Sequence, residues 1–146
     1  MAKSILDIFE ENEKMVGRLY KIYAEKFPHK KDFWLRLVQE ENDHAQEVQN
    51  MRKNCKDEDF SESVFHRTVV HQVMEFVEEG IEKARRGGMS YKEAVETALR
   101  VEQSVLEKKC FELFITSNST VKEALSKMEK ETKEHLERLK KEYSKL

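Results

Sequence analysis

The sequence has few of the residues that interrupt helices. It contains four glycines and one proline among 146 residues, which leaves room for few turns. The remainder is rich in Glu, Lys, Leu, Val and Met, and most of these residue types favour helices. The sequence therefore predicts an all-α protein, and its length predicts a single domain over residues 1–146.

Cysteine is also scarce. Cys55 and Cys110 are solitary, and neither belongs to a Cys-x-x-Cys pair. This pattern excludes a zinc ribbon and a rubredoxin-type iron centre, both of which need paired cysteines. It also argues against a fold held together by disulfides.

The sequence lacks an excess of charge of one sign and lacks long apolar runs. It carries 27 basic and 29 acidic residues, a formal net charge of -2, so its charge gives no reason to expect nucleic acid or an acidic membrane as a partner. No run approaches the ~18 apolar residues of a membrane-spanning helix, and the first residues lack the apolar stretch of a secretion signal. We therefore expect a cytoplasmic protein that does not cross a membrane.

Five helical segments follow from apolar periodicity and from start and stop signals. Pro28 ends the first segment, and the Gly87-Gly88 pair ends the third. Capping-box patterns begin at Ser4, Ser90 and Thr120. The predicted core helices cover residues 4–27, 32–54, 90–116 and 120–144, and a further helix covers 61–86.

Glu41 and His44 interrupt the apolar stripe of the second helix. They are three residues apart, so their Cβ atoms lie about 5 to 6 Å apart on one helix face. In alternating steps of three and four, the stripe that contains them also includes Trp34, Leu37, Val48, Met51 and Cys55. A carboxylate and an imidazole in a core stripe are costly unless they are paired, protonated or bound to a cation.

The other predicted core helices carry similar polar interruptions near mid-length. Glu13 lies in the stripe of the first helix, Glu102 in that of the fourth segment, and His135 in that of the last. The last stripe consists of Val121, Leu125, Met128, Thr132, His135, Leu139 and Tyr143. In a bundle these polar side chains meet in one layer, where the carboxylates would repel unless one or two metal ions lay between them.

These residues resemble the ferritin-like superfamily and, within it, the rubrerythrin-like di-iron carboxylate proteins. Glu13 is followed by Tyr20, and Phe33-Trp34 precede Glu40-Glu41-x-x-His44-Ala45, as in the first two helices of that family. Glu102 and His135 match its third and fourth core helices. The resemblance implies an antiparallel four-helix bundle whose second and third core helices are joined by a long crossover, here the helix over 61–86.

The resemblance also implies a dinuclear site with a defined set of ligands. Iron is the expected metal, with manganese or zinc as alternatives, because carboxylate oxygens and imidazoles suit all three. The expected ligands are Glu13, Glu41, His44, Glu102, Glu131 and His135. Tyr20 is expected to hydrogen-bond a ligand carboxylate from behind.

The sequence departs from the family in three places. Thr132 stands where a ligand Glu precedes the last histidine by three residues, so Glu131 is included only as a neighbouring substitute that could also face solvent. Val105 stands where the family has an extra carboxylate, and no rubredoxin-like tail follows. Because Thr132 supplies no partner carboxylate, His135 could be a neutral imidazole satisfied by a neighbour.

The resemblance implies an oxidase or peroxidase that acts on dioxygen or peroxide, with an unknown electron donor and a homodimeric state. Thr132 motivates an alternative, in which a degenerate bundle binds one metal or none and serves as a scaffold or sensor. A purely structural bundle needs only the apolar stripes, and it leaves the polar interruptions unexplained.

Overall fold

A computed structural model describes residues 5–54, 64–107 and 118–146 of the chain. All the regular structure in these three ranges is helical, and they contain no strand, which confirms the all-α prediction. The α-helices are α1 (Ile5–Lys26), α2 (Lys31–Asn54), α3 (Val64–Arg86), α4 (Tyr91–Glu107) and α5 (Ser119–Ser144), with a 3-10 helix at Pro28–Lys30. The predicted extension of the fourth segment from 108 to 116 lies outside the described residues.

The predicted turn around Pro28 is confirmed. Phe27 leaves the helical conformation with ψ 71°, as expected for a residue that precedes proline. The Phe27 amide still donates to the Tyr23 carbonyl at 2.9 Å, and the Lys30 amide donates to the Phe27 carbonyl at 2.9 Å. The chain therefore reverses within one short 3-10 turn and enters α2 directly.

The two glycines after α3 adopt a conformation that other residues avoid. Gly87 and Gly88 have φ of 83° and 78°, in the left-handed region where a Cβ atom is strained. The next helix then begins at a capping residue, because Ser90 Oγ accepts a hydrogen bond from the Glu93 amide at 3.1 Å. The predicted start signal at Ser90 is thus confirmed.

The start of α5 differs from the prediction. Asn118, not Thr120, is the capping residue, and its Oδ1 accepts from the amides of Thr120 at 3.0 Å and Val121 at 3.2 Å. Asparagine is at least as good a cap as threonine, and here it lies one residue before the first helical residue. The helix therefore begins earlier than the capping box suggested. The pattern at Ser4 lies outside the described residues.

Cross-helix contacts fix the relative directions of α1, α2 and α5. Between α1 and α2, Glu10 contacts Gln49 and Tyr23 packs on Trp34, so these helices are antiparallel. Between α2 and α5, Glu47 lies 3.9 Å from Lys127, while Lys30, just before α2, lies 2.8 Å from Glu142 near the end of α5. These two helices are antiparallel as well.

Helix α3 packs closely on α1 and also contacts α4. Gly80 makes this approach possible, because a Cβ atom there would lie 3.3 Å from Thr97 Cγ2 and 3.6 Å from Leu19 Cδ1. A larger side chain at this position would push α3 away from its neighbours.

The core is apolar at both ends and polar in the middle. Its largest fully buried side chains include Trp34, Tyr20, Tyr23, Phe9, Leu19 and Leu37. Tyr143, predicted to lie inside, is 36% exposed, whereas its neighbour Glu142 is buried and pairs with Lys30. Within the described ranges, no helix combines the length and the apolar character needed to cross a bilayer.

Candidate metal centre

Five of the six predicted ligands come together in the middle of the core. Glu13 comes from α1, Glu41 and His44 from α2, Glu102 from α4 and His135 from α5. They form two groups, Glu13–Glu41–His44 and Glu41–Glu102–His135, in which one potential ligand atom per residue lies within 4.8 Å of the others. Glu41 belongs to both groups, so the two groups are adjacent and share one carboxylate.

All five side chains are removed from solvent. The exposed fractions are 4% for Glu13, 2% for Glu41 and Glu102, and 1% for His44 and His135. Burying three carboxyl groups this deeply is unfavourable unless protons or cations compensate their charge. The layer therefore requires positive charge within it.

Each histidine directs Nδ1 toward carboxylates. His44 Nδ1 lies 3.5 Å from Glu13 Oε2 and 3.7 Å from Glu41 Oε2. His135 Nδ1 lies 3.2 Å from Glu41 Oε1 and 3.6 Å from Glu102 Oε1. The two rings are nearly parallel, with centroids 5.4 Å apart and planes 18° apart.

The outer nitrogens of the two rings contact a second pair of carboxylates. His44 Nε2 forms a hydrogen bond with Glu131 Oε2 at 2.9 Å, whereas His135 Nε2 lies 2.5 Å from Glu40 Oε2 in an ion-pair contact without hydrogen-bond geometry. Because an ionised carboxylate only accepts hydrogen bonds, these contacts favour a hydrogen on Nε2 whenever the ring is neutral, which leaves the Nδ1 lone pair for a cation; a protonated ring carries a hydrogen on Nδ1 as well. Arg138 forms an ion pair with Glu40 and holds it in place.

The structure thus places Glu131 behind His44 and outside both three-residue groups. Glu40 has the equivalent position behind His135 and was missed by the sequence analysis. A signal for it exists: Glu40 precedes His44 by four residues, as Glu131 precedes His135. Each histidine is therefore held by the carboxylate that precedes the other histidine by four residues.

The pKa values of the buried groups show how the layer is balanced by protons. Burial, reinforced by the charge of Glu41, raises the pKa of Glu13 to about 8. Burial alone would lower the pKa of His44, but the carboxylates of Glu13 and Glu41 outweigh it and raise that pKa to about 12. For His135, burial is likewise outweighed by Glu102 and Glu41, and the pKa rises to about 10. Near neutral pH, imidazolium protons supply the positive charge.

Tyr20 holds one carboxylate from the side of the aromatic core. Its hydroxyl donates to Glu102 Oε1 at 2.8 Å, in agreement with the predicted supporting role. Burial, together with the charge of Glu102, raises the pKa of Tyr20 well above its usual value, so the hydroxyl remains a donor. The ring packs on Trp34 with centroids 5.6 Å apart, which fixes its position.

Thr132 does not reach toward either group as a carboxylate would. Its Oγ1 donates to the Met128 carbonyl at 2.9 Å, one turn back along α5. Val105 is buried and apolar, so it supplies no carboxylate to the layer. The second group therefore contains one histidine and two carboxylates, one of which is shared.

Comparisons of this chain with protein-family models, with curated proteins and with solved structures find no match. The function must therefore be argued from the site itself.

Proposed function

We propose that the chain is a ferritin-like bundle that binds two metal ions, most suitably iron, and uses them to react with dioxygen or peroxide. In this proposal α1, α2, α4 and α5 form the four-helix bundle and α3 is the crossover. Support comes from the antiparallel contacts between α1 and α2 and between α2 and α5, and from the convergence of the polar layer at mid-length.

The main support for the proposal is that the Nδ1 atoms of His44 and His135 are buried without a hydrogen-bond partner among the described residues. His44 Nδ1 and His135 Nδ1 are fully buried, face carboxylate oxygens at 3.2 to 3.7 Å, and have no hydrogen-bond partner among the described residues. A layer closed by direct hydrogen bonds would bring these atoms to ~2.8 Å of each other. The wider separation, with a carboxylate behind each ring and a hydrogen bond behind His44, suits a cation between nitrogen and oxygens.

The donor set fits the proposed metals. Glu13, Glu41 and His44 would hold one ion, and Glu41, Glu102 and His135 the other, with Glu41 shared. Carboxylate oxygens with one imidazole per ion suit iron and manganese, and zinc can use the same ligands. When bound, iron would supply electrons to dioxygen or peroxide. Glu40, Glu131 and Tyr20 would orient ligand side chains from outside.

A second candidate is a bundle that binds one ion or none and acts as a scaffold or sensor. Thr132 favours it, because this residue supplies no carboxylate to the second group. The raised pKa values of His44 and His135 also favour it, since protons alone can balance much of the buried charge.

Metal stoichiometry separates the two candidates. We expect anaerobic titration with Fe(II) to give two ions per chain in the wild type, none in Glu41→Gln and one in Glu13→Gln. Glu134→Gln, an exposed substitution beside His135, is the matched control and should keep two. Circular dichroism of the metal-free variants checks that each is folded.

Two ions bound by Glu41→Gln would contradict the shared-ligand arrangement. One ion per wild-type chain would favour the scaffold or sensor. If two ions bind, mixing the loaded protein with dioxygen or hydrogen peroxide tests the reaction. Oxidation no faster than that of free Fe(II) would contradict the proposed oxidase or peroxidase activity.

A further inference from the structure

The centre has an approximate two-fold arrangement that relates α1 and α2 to α4 and α5. Each half contributes one histidine, one carboxylate that contacts a histidine Nε2, and one carboxylate that belongs to a single ligand group. The corresponding pairs are His44 with His135, Glu40 with Glu131, and Glu13 with Glu102. By the same spacing Glu41, three residues before His44, corresponds to Thr132, three residues before His135.

A small cavity lies on the line that relates the two halves. It leaves about 10 Å³ for the centre of a water-sized atom. Its wall consists of equivalent positions from the two halves. One half contributes Asn12, Glu13, Val16 and Glu41, and the other contributes Val101, Glu102, Val105 and Thr132. Since both halves contribute equivalent positions, the cavity lies between the two groups of ligands and faces Glu41.

The two halves differ at two of these equivalent positions, Glu41 against Thr132 and Asn12 against Val101. Thr132 replaces the carboxylate that would mirror Glu41, and its short side chain leaves the space open. Asn12 replaces the apolar residue that would mirror Val101. Asn12 is 1% exposed, and its Oδ1 has no hydrogen-bond partner among the described residues.

Thr132 and Asn12 both line the same space, and each carries a hydrogen-bond acceptor. The Thr132 hydroxyl gives its hydrogen to the Met128 carbonyl, so toward the cavity its oxygen can only accept. Asn12 Oδ1 also accepts. A buried acceptor without a donor costs about 1 to 3 kcal/mol, and a polar cavity with room for one water and two or more partners binds one.

We propose that the cavity binds a single water molecule that donates to Asn12 Oδ1 and Thr132 Oγ1. Both of its hydrogens are then used, and the carboxyl groups of Glu13, Glu41 and Glu102 line the rest of the cavity. The water oxygen thus lies where a glutamate at position 132 would place a carboxylate oxygen.

The bound water follows from the cavity alone. Its further use, as a position that a small oxygen ligand can occupy beside the metal ions, rests on the proposed function. Val16, Val101 and Val105 form the apolar part of the wall, and the small volume leaves no room for a larger ligand.

Crystal structures of the metal-free protein, at a resolution that shows ordered water, test the proposal. We expect one water within hydrogen-bonding distance of Asn12 Oδ1 in the wild type and in Thr132→Ser, which keeps the hydroxyl. We expect its loss in Thr132→Glu, where the introduced carboxyl group fills the cavity, and in Asn12→Leu, which removes the acceptor. The two substitutions are on different helices, so if one variant does not fold, the other still tests the proposal.

A wild-type cavity without this water, or a water retained in Thr132→Glu, would overturn the proposal. Metal binding is measured separately on the same preparations. A wild type that holds the water and binds no metal refutes the proposed function and leaves the water site standing. A wild type that binds two ions and lacks the water overturns the water site alone.

Discussion

Metal binding should release protons, and the number released follows from the structure. At pH 7 the pKa values of about 12 for His44 and about 10 for His135 keep both imidazoles protonated. The pKa of about 8 for Glu13 leaves roughly nine-tenths of that carboxyl group protonated. Because metal ligands must be deprotonated, filling both positions at pH 7 should release about three protons per chain.

The same values predict how the number changes with pH. At pH 9 Glu13 is already mostly ionised, while both histidines still carry their protons, so the release should fall to about two. Metal affinity should therefore rise with pH, because protons compete with the metal for the same ligand atoms. Between pH 7 and 8 the product of the two binding constants should rise by roughly 500-fold, because Glu13 is already half ionised at pH 8.

Isothermal titration calorimetry in buffers of different ionisation enthalpy measures this number. Zn(II) is the appropriate probe, because it has no redox chemistry that would add protons of its own. Glu13→Gln is the comparison variant: it should fill only the position that includes His135, so its release at pH 7 should fall to about one proton. Release of less than about one proton by the wild type, or a count that does not fall between pH 7 and 9, would refute the assignment of these groups as ligands.

Three further predictions concern stability and the supporting residues. The metal-free protein should melt at a lower temperature as pH rises from about 6.5 to 10. Folding raises the pKa of His135 from 6.5 to about 10, so its proton stabilises the folded state at low pH, and this stabilisation is lost as pH rises to the folded-state pKa. Scanning fluorimetry with a chelator measures the melting temperature, and a flat pH profile would contradict the prediction. Glu131→Gln should weaken metal binding about 10-fold to 100-fold, since Glu131 fixes the His44 ring, whereas exposed Glu137→Gln should leave the titrated affinity unchanged. Asn118→Ala should lower the free energy of unfolding by about 1 kcal/mol in urea, and equal losses from Asn118→Ala and Thr120→Ala would argue against the observed cap.

Helical periodicity predicted the elements well because buried and exposed positions alternate in a regular way along each helix. It was less reliable where neighbouring positions compete for the core. Glu142 and Tyr143 are adjacent on α5, and hydrophobicity favoured Tyr143 as the buried residue. The structure buries Glu142 because Lys30, from the turn before α2, pairs with it. That contact joins residues far apart in the chain, so no local pattern reveals it.

The candidate site was predictable as far as the core stripe reaches. Glu13, Glu41, His44, Glu102 and His135 each interrupt an apolar stripe, and the structure brings all five together. The supporting residues were harder, because Glu40 and Glu131 lie beside the stripe and act through contacts between helices. Asn12 was also missed, since a polar residue next to a ligand resembles an ordinary solvent-facing position until its burial is known.

The crossed contacts of the two histidines have a consequence for how the molecule can change. α1 packs along α2 and α4 along α5, whereas α2 and α5 touch at few places. Two of those places are the contacts of His44 with Glu131 and of His135 with Glu40. Chemistry and cohesion therefore use the same side chains. Replacing His44 or His135 would therefore remove both a potential metal ligand and a contact that joins the two helix pairs.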